Sequence, residues 1–368
     1  MSHRIVPYDT AEHRMILQTR LKQHKEIAMQ NLVESEFQKC MLAAPDRILV
    51  ATDLTDIDYL VPYAIAQAKV CGAKLTFVHV LPSARAARDE SGTASHTTHL
   101  PADPAKVIRD ARLVLLGVER RVEDQGVACE TKVRQGNIAE TIAREIRQID
   151  ATRLIVGTYG RGKLGRLLLG SVASRLLTSI DIPVMVIGPQ AHSLTEHAIP
   201  RRILHPVSLM GIDHNSIQLP LNVAQTCRAE LTLLHIIDPD LMECVNPGRV
   251  IEWANMRLKS MLPSTDLMPV VNARVTCGAL AEEILKAAGQ TGADLILLGS
   301  SGYSERSFRE SMAYKVLTAA PCPVLTYTHE PYGSQIAALE AMHFKTPQNS
   351  YEQDSISRSA LARMAHAS

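Results

Sequence analysis

The chain carries one pattern twice. "DRILVATDLT" at 46–55 returns as "RRILHPVSLM" at 201–210, and "KLTFVHVLP" at 74–82 returns as "ELTLLHIID" at 230–238. The longest match runs without a gap, "KVRQGNIAETIAREIRQIDATRLIVGTYG" at 132–160 against "RVTCGALAEEILKAAGQTGADLILLGSSG" at 274–302. "LTSIDIPVMVI" at 177–187 pairs with "LTAAPCPVLTY" at 317–327. Four segments in one order, with offsets drifting only from about 155 to 140, mean two copies of a single folding unit. A length of 368 residues has room for both. The expected organisation is an N-terminal helical extension over 1–45, a first unit over 46–190, a polar linker over 191–200, a second unit over 201–330 and a polar tail over 331–368.

Within a copy, short apolar runs alternate with helical patterns. "RILVAT", "KLTFVHV", "VACETKV", "RLIVG" and "PVMVI" read as strands. Between them "YLVPYAIAQAKV", "DPAKVIRDARLVLLGVERRVEDQG", "NIAETIAREIRQ" and "SVASRLLTS" read as helices. Asp103 before Pro104 is a helix-start signal, and Asn137 is a second cap. Near-continuous apolar strands separated by helices imply a parallel sheet covered on both faces. "PVMVI" and "PVLTY" are the last strands of their copies and would lie at sheet edges. Exposed apolar edges are normally covered. We expect these two to pair within the chain as a pseudo-dimer of domains, with pairing to a second copy as the alternative.

Residues 10–42 read as one long helix with an apolar stripe. It serves either as a helix docked on its own chain or as a site for a dimer partner or another protein. The residues after about 345 are polar and read as largely disordered. Lys plus Arg number 39 against 38 Asp plus Glu, so net charge offers nothing to draw nucleic acid or an anionic membrane. No apolar run approaches the ~20 residues that span a bilayer. The start of the chain has no signal-peptide apolar region, and seven cysteines without a C-x-x-C pair read as reduced and buried. The expectation is a cytoplasmic protein.

"GTYGRGKLGRLLLGS" at 157–171 is the densest chemical feature, with five glycines in fifteen residues and Arg161, Lys163 and Arg166 among them. As a P-loop it fails at its eighth position, where Leu164 replaces the Ser or Thr that would bind Mg²⁺, and it follows the fourth strand instead of the first. As an ordinary surface turn it leaves most of its glycines and its basic residues unexplained. A third reading uses position. In a doubly wound sheet of order 3-2-1-4-5, ligands sit where the order reverses, outside the carboxyl ends of the first and fourth strands. Asp53 leaves the first strand and the glycine stretch leaves the fourth. Gly170 and Ser171 open the next helix, whose N–H groups can meet phosphate. These residues describe a nucleotide site.

Gly157-x2-Gly160-x9-Gly170-Ser171 resembles the G-2x-G-9x-G-(S/T) signature of the ATP-binding branch of the universal stress protein family. "RILVATD", "FVHV", "VRQGNIAETI" and "IPVMVI" support the likeness, which is weaker over 201–330. The resemblance implies two tandem Rossmann-like domains of the adenine nucleotide alpha hydrolase type, each a five-stranded parallel sheet of order 3-2-1-4-5. It implies that Ala51, Asp53 and Val80 meet the adenine and ribose, and that Gly157, Thr158, Gly160, Arg161, Gly162, Lys163, Gly170 and Ser171 line the triphosphate, with Mg²⁺. In the second copy Ser208 replaces Asp53, Glu310 replaces Gly170 and the loop is two residues shorter. ATP is therefore expected in the first domain only. The expected role is a nucleotide-dependent stress regulator. A slow ATPase and an interaction scaffold recruiting a partner through the N-terminal helix are the alternatives.

Overall fold

The computed structural model describes residues 45–83, 103–158, 169–188, 190–191, 199–209, 217–240, 246–262, 269–300 and 308–328. The expected N-terminal helix and C-terminal tail lie outside them. The first copy folds as β1 (Arg47–Ala51), α1 (Ile57–Cys71), β2 (Lys74–Pro82), α2 (Pro104–Glu123), β3 (Cys129–Gly136), α3 (Ile138–Gln148), β4 (Arg153–Gly157), α4 (Ser171–Ser179) and β5 (Val184–Ile187). The second follows the same plan: β6 (Arg202–Pro206), α5 (Gln218–Cys227), β7 (Glu230–Ile237), α6 (Pro247–Ser260), β8 (Val271–Cys277), α7 (Leu280–Thr291), β9 (Leu295–Ser300), α8 (Met312–Ala319) and β10 (Val324–Thr328).

Local chemistry starts these helices where expected. The Asp103 carboxylate accepts the Lys106 N–H at 3.0 Å, with Pro104 in the first turn of α2. The Asn137 side chain accepts the Glu140 N–H at 3.1 Å and caps α3.

The strands form one ten-stranded sheet in the order β3-β2-β1-β4-β5-β10-β9-β6-β7-β8. Each half keeps the order 3-2-1-4-5, with every pair inside a half parallel. The halves meet at an antiparallel seam, with Val324 opposite Val186 and Thr326 opposite Val184. So the two terminal strands cover one another, and the expected pair of five-stranded sheets is continuous. Val184, Met185, Val186, Val324 and Leu325 are all buried.

Two apolar clusters, one on each face, run through both halves of the sheet. On one face Phe77, Leu60 and Leu115 pack in a cluster that extends to Leu231 and Leu258. On the other, Leu154 and Leu176 share a cluster with Ile296 and Val316. The first cluster encloses a polar exception. Arg153, 2% exposed, donates through Nη1 to Gln67 Oε1 at 2.7 Å. The repeat places Leu295 and Val223 at the corresponding positions of the second copy. Arg153→Leu alone is expected to cost about 1–3 kcal/mol, because Gln67 stays buried after losing this donor. Adding Gln67→Val, which copies the second domain, should recover most of that loss. Urea unfolding of the single and double variants measures it.

Candidate functional site

β1 and β4 are neighbours, but the chain leaves β1 toward α1 on one face and leaves β4 toward α4 on the other. Their carboxyl ends therefore part around a cleft of about 230 Å³. Ala51, Thr52 and Asp53 line it from β1, Val78, His79 and Val80 from β2, and Val156, Gly157 and Thr158 from β4. Ile138 and Ile142 add an apolar patch, and Gly170 and Ser171 open α4 into the same space. Seven residues picked out by the sequence, Ala51, Asp53, Val80, Gly157, Thr158, Gly170 and Ser171, thus share one cleft. Gly160, Arg161, Gly162 and Lys163 lie outside the described residues.

The turn after β1 is held by its own side chains. Asp53 Oδ1 accepts the Thr55 N–H at 2.8 Å and the Thr55 hydroxyl at 2.7 Å. Asp53 itself is exposed. Thr52 Oγ1 accepts the Leu54 N–H at 2.9 Å, which helps hold Leu54 at a φ of 73°. His79 Nδ1–H donates to the Thr52 carbonyl at 2.9 Å. The second domain repeats this contact between His235 and the Val207 carbonyl at 3.0 Å. A bond kept in both domains is part of the shared scaffold.

The two domains part company at the helix that follows the fourth strand. In the first, the Gly170 N–H donates to the Thr158 carbonyl at 3.0 Å, which ties together the ends of the glycine stretch. Gly170 is the N-cap of α4 and has no side chain to cap it, and the first intrahelical bond runs from the Ser174 N–H to the Gly170 carbonyl at 2.9 Å. The N–H groups of Ser171, Val172 and Ala173 precede any helical acceptor and open onto the cleft. Thr158 Oγ1, also lining the cleft, is buried without a hydrogen-bond partner. In the second domain Ser311 is the N-cap of α8, and its hydroxyl accepts the Tyr314 N–H at 3.2 Å. Ser171 and Ser311 correspond in sequence, yet one is the first helical residue and the other the cap. The second helix start thus has one N–H capped by a side chain where the first has none.

Gly157 has a different reason for being glycine from the one its motif suggests. A Cβ there would stand 2.7 Å from the Tyr59 hydroxyl and 2.9 Å from Asp56 Oδ2. The missing side chain makes room for α1 and its N-cap, whereas the sequence reading ties it to the approach of phosphate. Gly157→Ala is expected to destabilise the chain by about 1–3 kcal/mol through this crowding, measured as a fall in denaturant midpoint without ligand.

Asp56 is the cleft residue that the motif does not reveal. It is 5% exposed, its Oδ1 accepts a short hydrogen bond from Thr52 Oγ1, and it lines the cleft beside Asp53. Burial pushes its carboxyl up to about 7, with the Thr52 bond opposing and the charge of Asp53 adding to the rise. A signal was available in the repeat, since the second copy has Gly211 at this position. Among the described residues no cluster of three or more His, Cys, Asp or Glu could hold a metal ion. Among them, too, no helix is long and apolar enough to cross a membrane.

Comparison with known proteins gives concordant matches. The profile described as the Universal stress protein family matches residues 45–188 and again 200–328. A universal stress protein of Mycolicibacterium smegmatis is 36% identical over 85 residues, 22% of this chain and 65% of that protein. A second from the same organism is 28% identical over 182 residues, 45% of this chain and 53% of that one. The chain therefore spans less than two thirds of the length of either relative. Among solved structures, a universal stress protein from Archaeoglobus fulgidus superposes with a TM-score of 0.58 at 17% identity, covering 77% of this chain and 98% of that one. That likeness is one of fold.

Proposed function

Because the chain belongs to the universal stress protein family, matched over both of its repeats, we propose that its first domain binds ATP and that occupancy of this site is the regulatory output of the protein. The observation that carries the reading is the contrast between the two helix starts. α4 starts in the cleft with no side-chain cap, beside the partnerless Thr158 hydroxyl, whereas α8 has its Tyr314 N–H capped by the Ser311 side chain. An anion at the open start gains about 0.3–1 kcal/mol from the helix dipole alone, besides the hydrogen bonds it makes. In this reading the Asp53 carboxylate accepts from a ribose hydroxyl or an adenine amino group, and Val80, Ile138 and Ile142 supply apolar surface in the same cleft.

These residues suit a nucleotide. In this reading Mg²⁺ enters on the phosphate oxygens. Among the described residues at the phosphate end, Thr158, Gly170 and Ser171 stabilise charge but do not abstract a proton, which favours binding over turnover as the function. The second domain acts as the partner on which the first is built. A protein with this role works in the cytoplasm, where ATP is at hand. Native mass spectrometry of the full chain with Mg²⁺ and ATP tests the proposal. One ATP per chain is expected. Two equivalent sites, or none, would overturn it.

A further inference from the structure

We propose that Asp56 couples ligand binding in the first domain to proton uptake, so that the site holds ATP more tightly as pH falls toward neutrality. The inference rests on the nucleotide reading of the cleft and specifies how that site is regulated.

The geometry is that of a carboxyl group enclosed by protein, with its remaining opening on the cleft. Oδ1 is engaged by Thr52, and Oδ2 lies against the backbone of Gly157. The titratable groups around it are Asp53 on its own turn, Tyr59 on α1 and His79 on β2 across the cleft. β4 and the residue after it contribute Val156, Gly157 and Thr158, and the start of α4 contributes Gly170, Ser171, Val172 and Ala173, none of which carries a charge. Among the described residues lining the cleft none is Lys or Arg. Burial, then Asp56 and Asp53, raise the Tyr59 hydroxyl as well, so it stays neutral and adds no further negative charge.

A ligand arriving in the cleft changes two things at Asp56. It displaces the water that still reaches the carboxylate, and it brings the negative charge of its phosphates. Both disfavour the ionised form. The carboxyl pKa is already about 7 in the free protein and stands higher in the complex. Linkage then fixes the sign. Below the free-state pKa the group is protonated in both states and affinity is full. Above it, binding must draw a proton from solvent, and affinity falls by about tenfold per pH unit until the pKa of the complex is reached. In the aligned sequence of the second domain Gly211 stands at this position.

Calorimetric titration of the full chain with ATP and excess Mg²⁺, from about pH 6 to about pH 8.5, tests this. Wild-type affinity should fall above about pH 7, while Asp56→Asn, which keeps the shape and cannot ionise, should show a flatter profile. The proton on the ligand's own phosphate is common to both and cancels in the comparison. Repeating the wild-type titration near pH 7.5 in buffers of different ionisation enthalpy should reveal net proton uptake, absent in Asp56→Asn. Should that variant fail to fold, Thr52→Val decides, because it copies Val207 and removes the bond that favours the carboxylate. It should move the fall in affinity to higher pH. Equal slopes in wild type and Asp56→Asn, no proton uptake, or an unmoved profile in Thr52→Val would each overturn the proposal while leaving the nucleotide site intact. Absence of ATP binding at every pH would instead overturn the nucleotide reading, and this inference with it.

Discussion

Gly170→Glu lowers affinity for ATP at least a hundredfold and leaves the fold in place. A hundredfold needs only about 2.8 kcal/mol. A carboxylate set about 4 Å from a phosphate oxygen costs about 4 kcal/mol at an effective dielectric near 20. The fold survives for local reasons. Gly170 has φ −59° and ψ 151°, which any residue adopts, and among the described residues its Cβ would meet only the Thr158 carbonyl oxygen, at 3.3 Å, which must give slightly. An acidic group at a helix start also suits the helix dipole. Glu310 already stands at the matching sequence position of the second domain, one residue ahead of the Ser311 cap, where it is exposed. Glu310→Gly should not create a second site, because Ser208 remains and Ser311 still caps α8. Calorimetry on wild type and both variants measures this, with thermal melts to report the fold. Full affinity in Gly170→Glu would mean that phosphate lies elsewhere.

Val186→Pro unfolds the chain at much lower temperature than wild type. Val186 is 1% exposed and is paired on both sides, with Val156 in β4 and Val324 across the seam. Proline there removes a backbone donor from an interior strand and places its ring against a neighbour. The cost is expected at about 3 kcal/mol or more, which lowers the melting temperature by about 5 °C or more for a body of this size. Calorimetric melting of the full chain checks it. A melting temperature within a degree or two of wild type would mean that the seam contributes little to stability.

The repeat made most of the architecture legible. Once the copies are aligned, strand order, helix starts at Asp103 and Asn137 and the pairing of the two last strands follow from local pattern and the need to cover an apolar edge. The cleft was legible in part. Asp53 and Gly170 stand out because the second copy lacks them, and their chain positions place them at the point where the strand order reverses. Asp56 was passed over although the aligned second copy lacks it too. In "DLTDID" it looks like any acid near a helix start, and its burial arises only when Gly157 is laid against it from a strand about a hundred residues later. The Arg153–Gln67 contact is hidden for the same reason. The difference between Ser171 and Ser311 was invisible to alignment, because it depends on where each helix begins, and loops of different length move that point by one residue.

The seam between β5 and β10 makes the molecule a dimer whose halves are encoded together. Two identical subunits must share every substitution, so neither can lose its site without the other losing it too. Fusion lifts that constraint. The second half can keep the strand and helices that the first needs for support while its own cleft changes. The ratio of binding half to supporting half is set at one to one by synthesis. Tethering holds the effective concentration of each half for the other at a level independent of how much protein the cell makes. Dilution, which separates ordinary dimers, should leave this pair assembled.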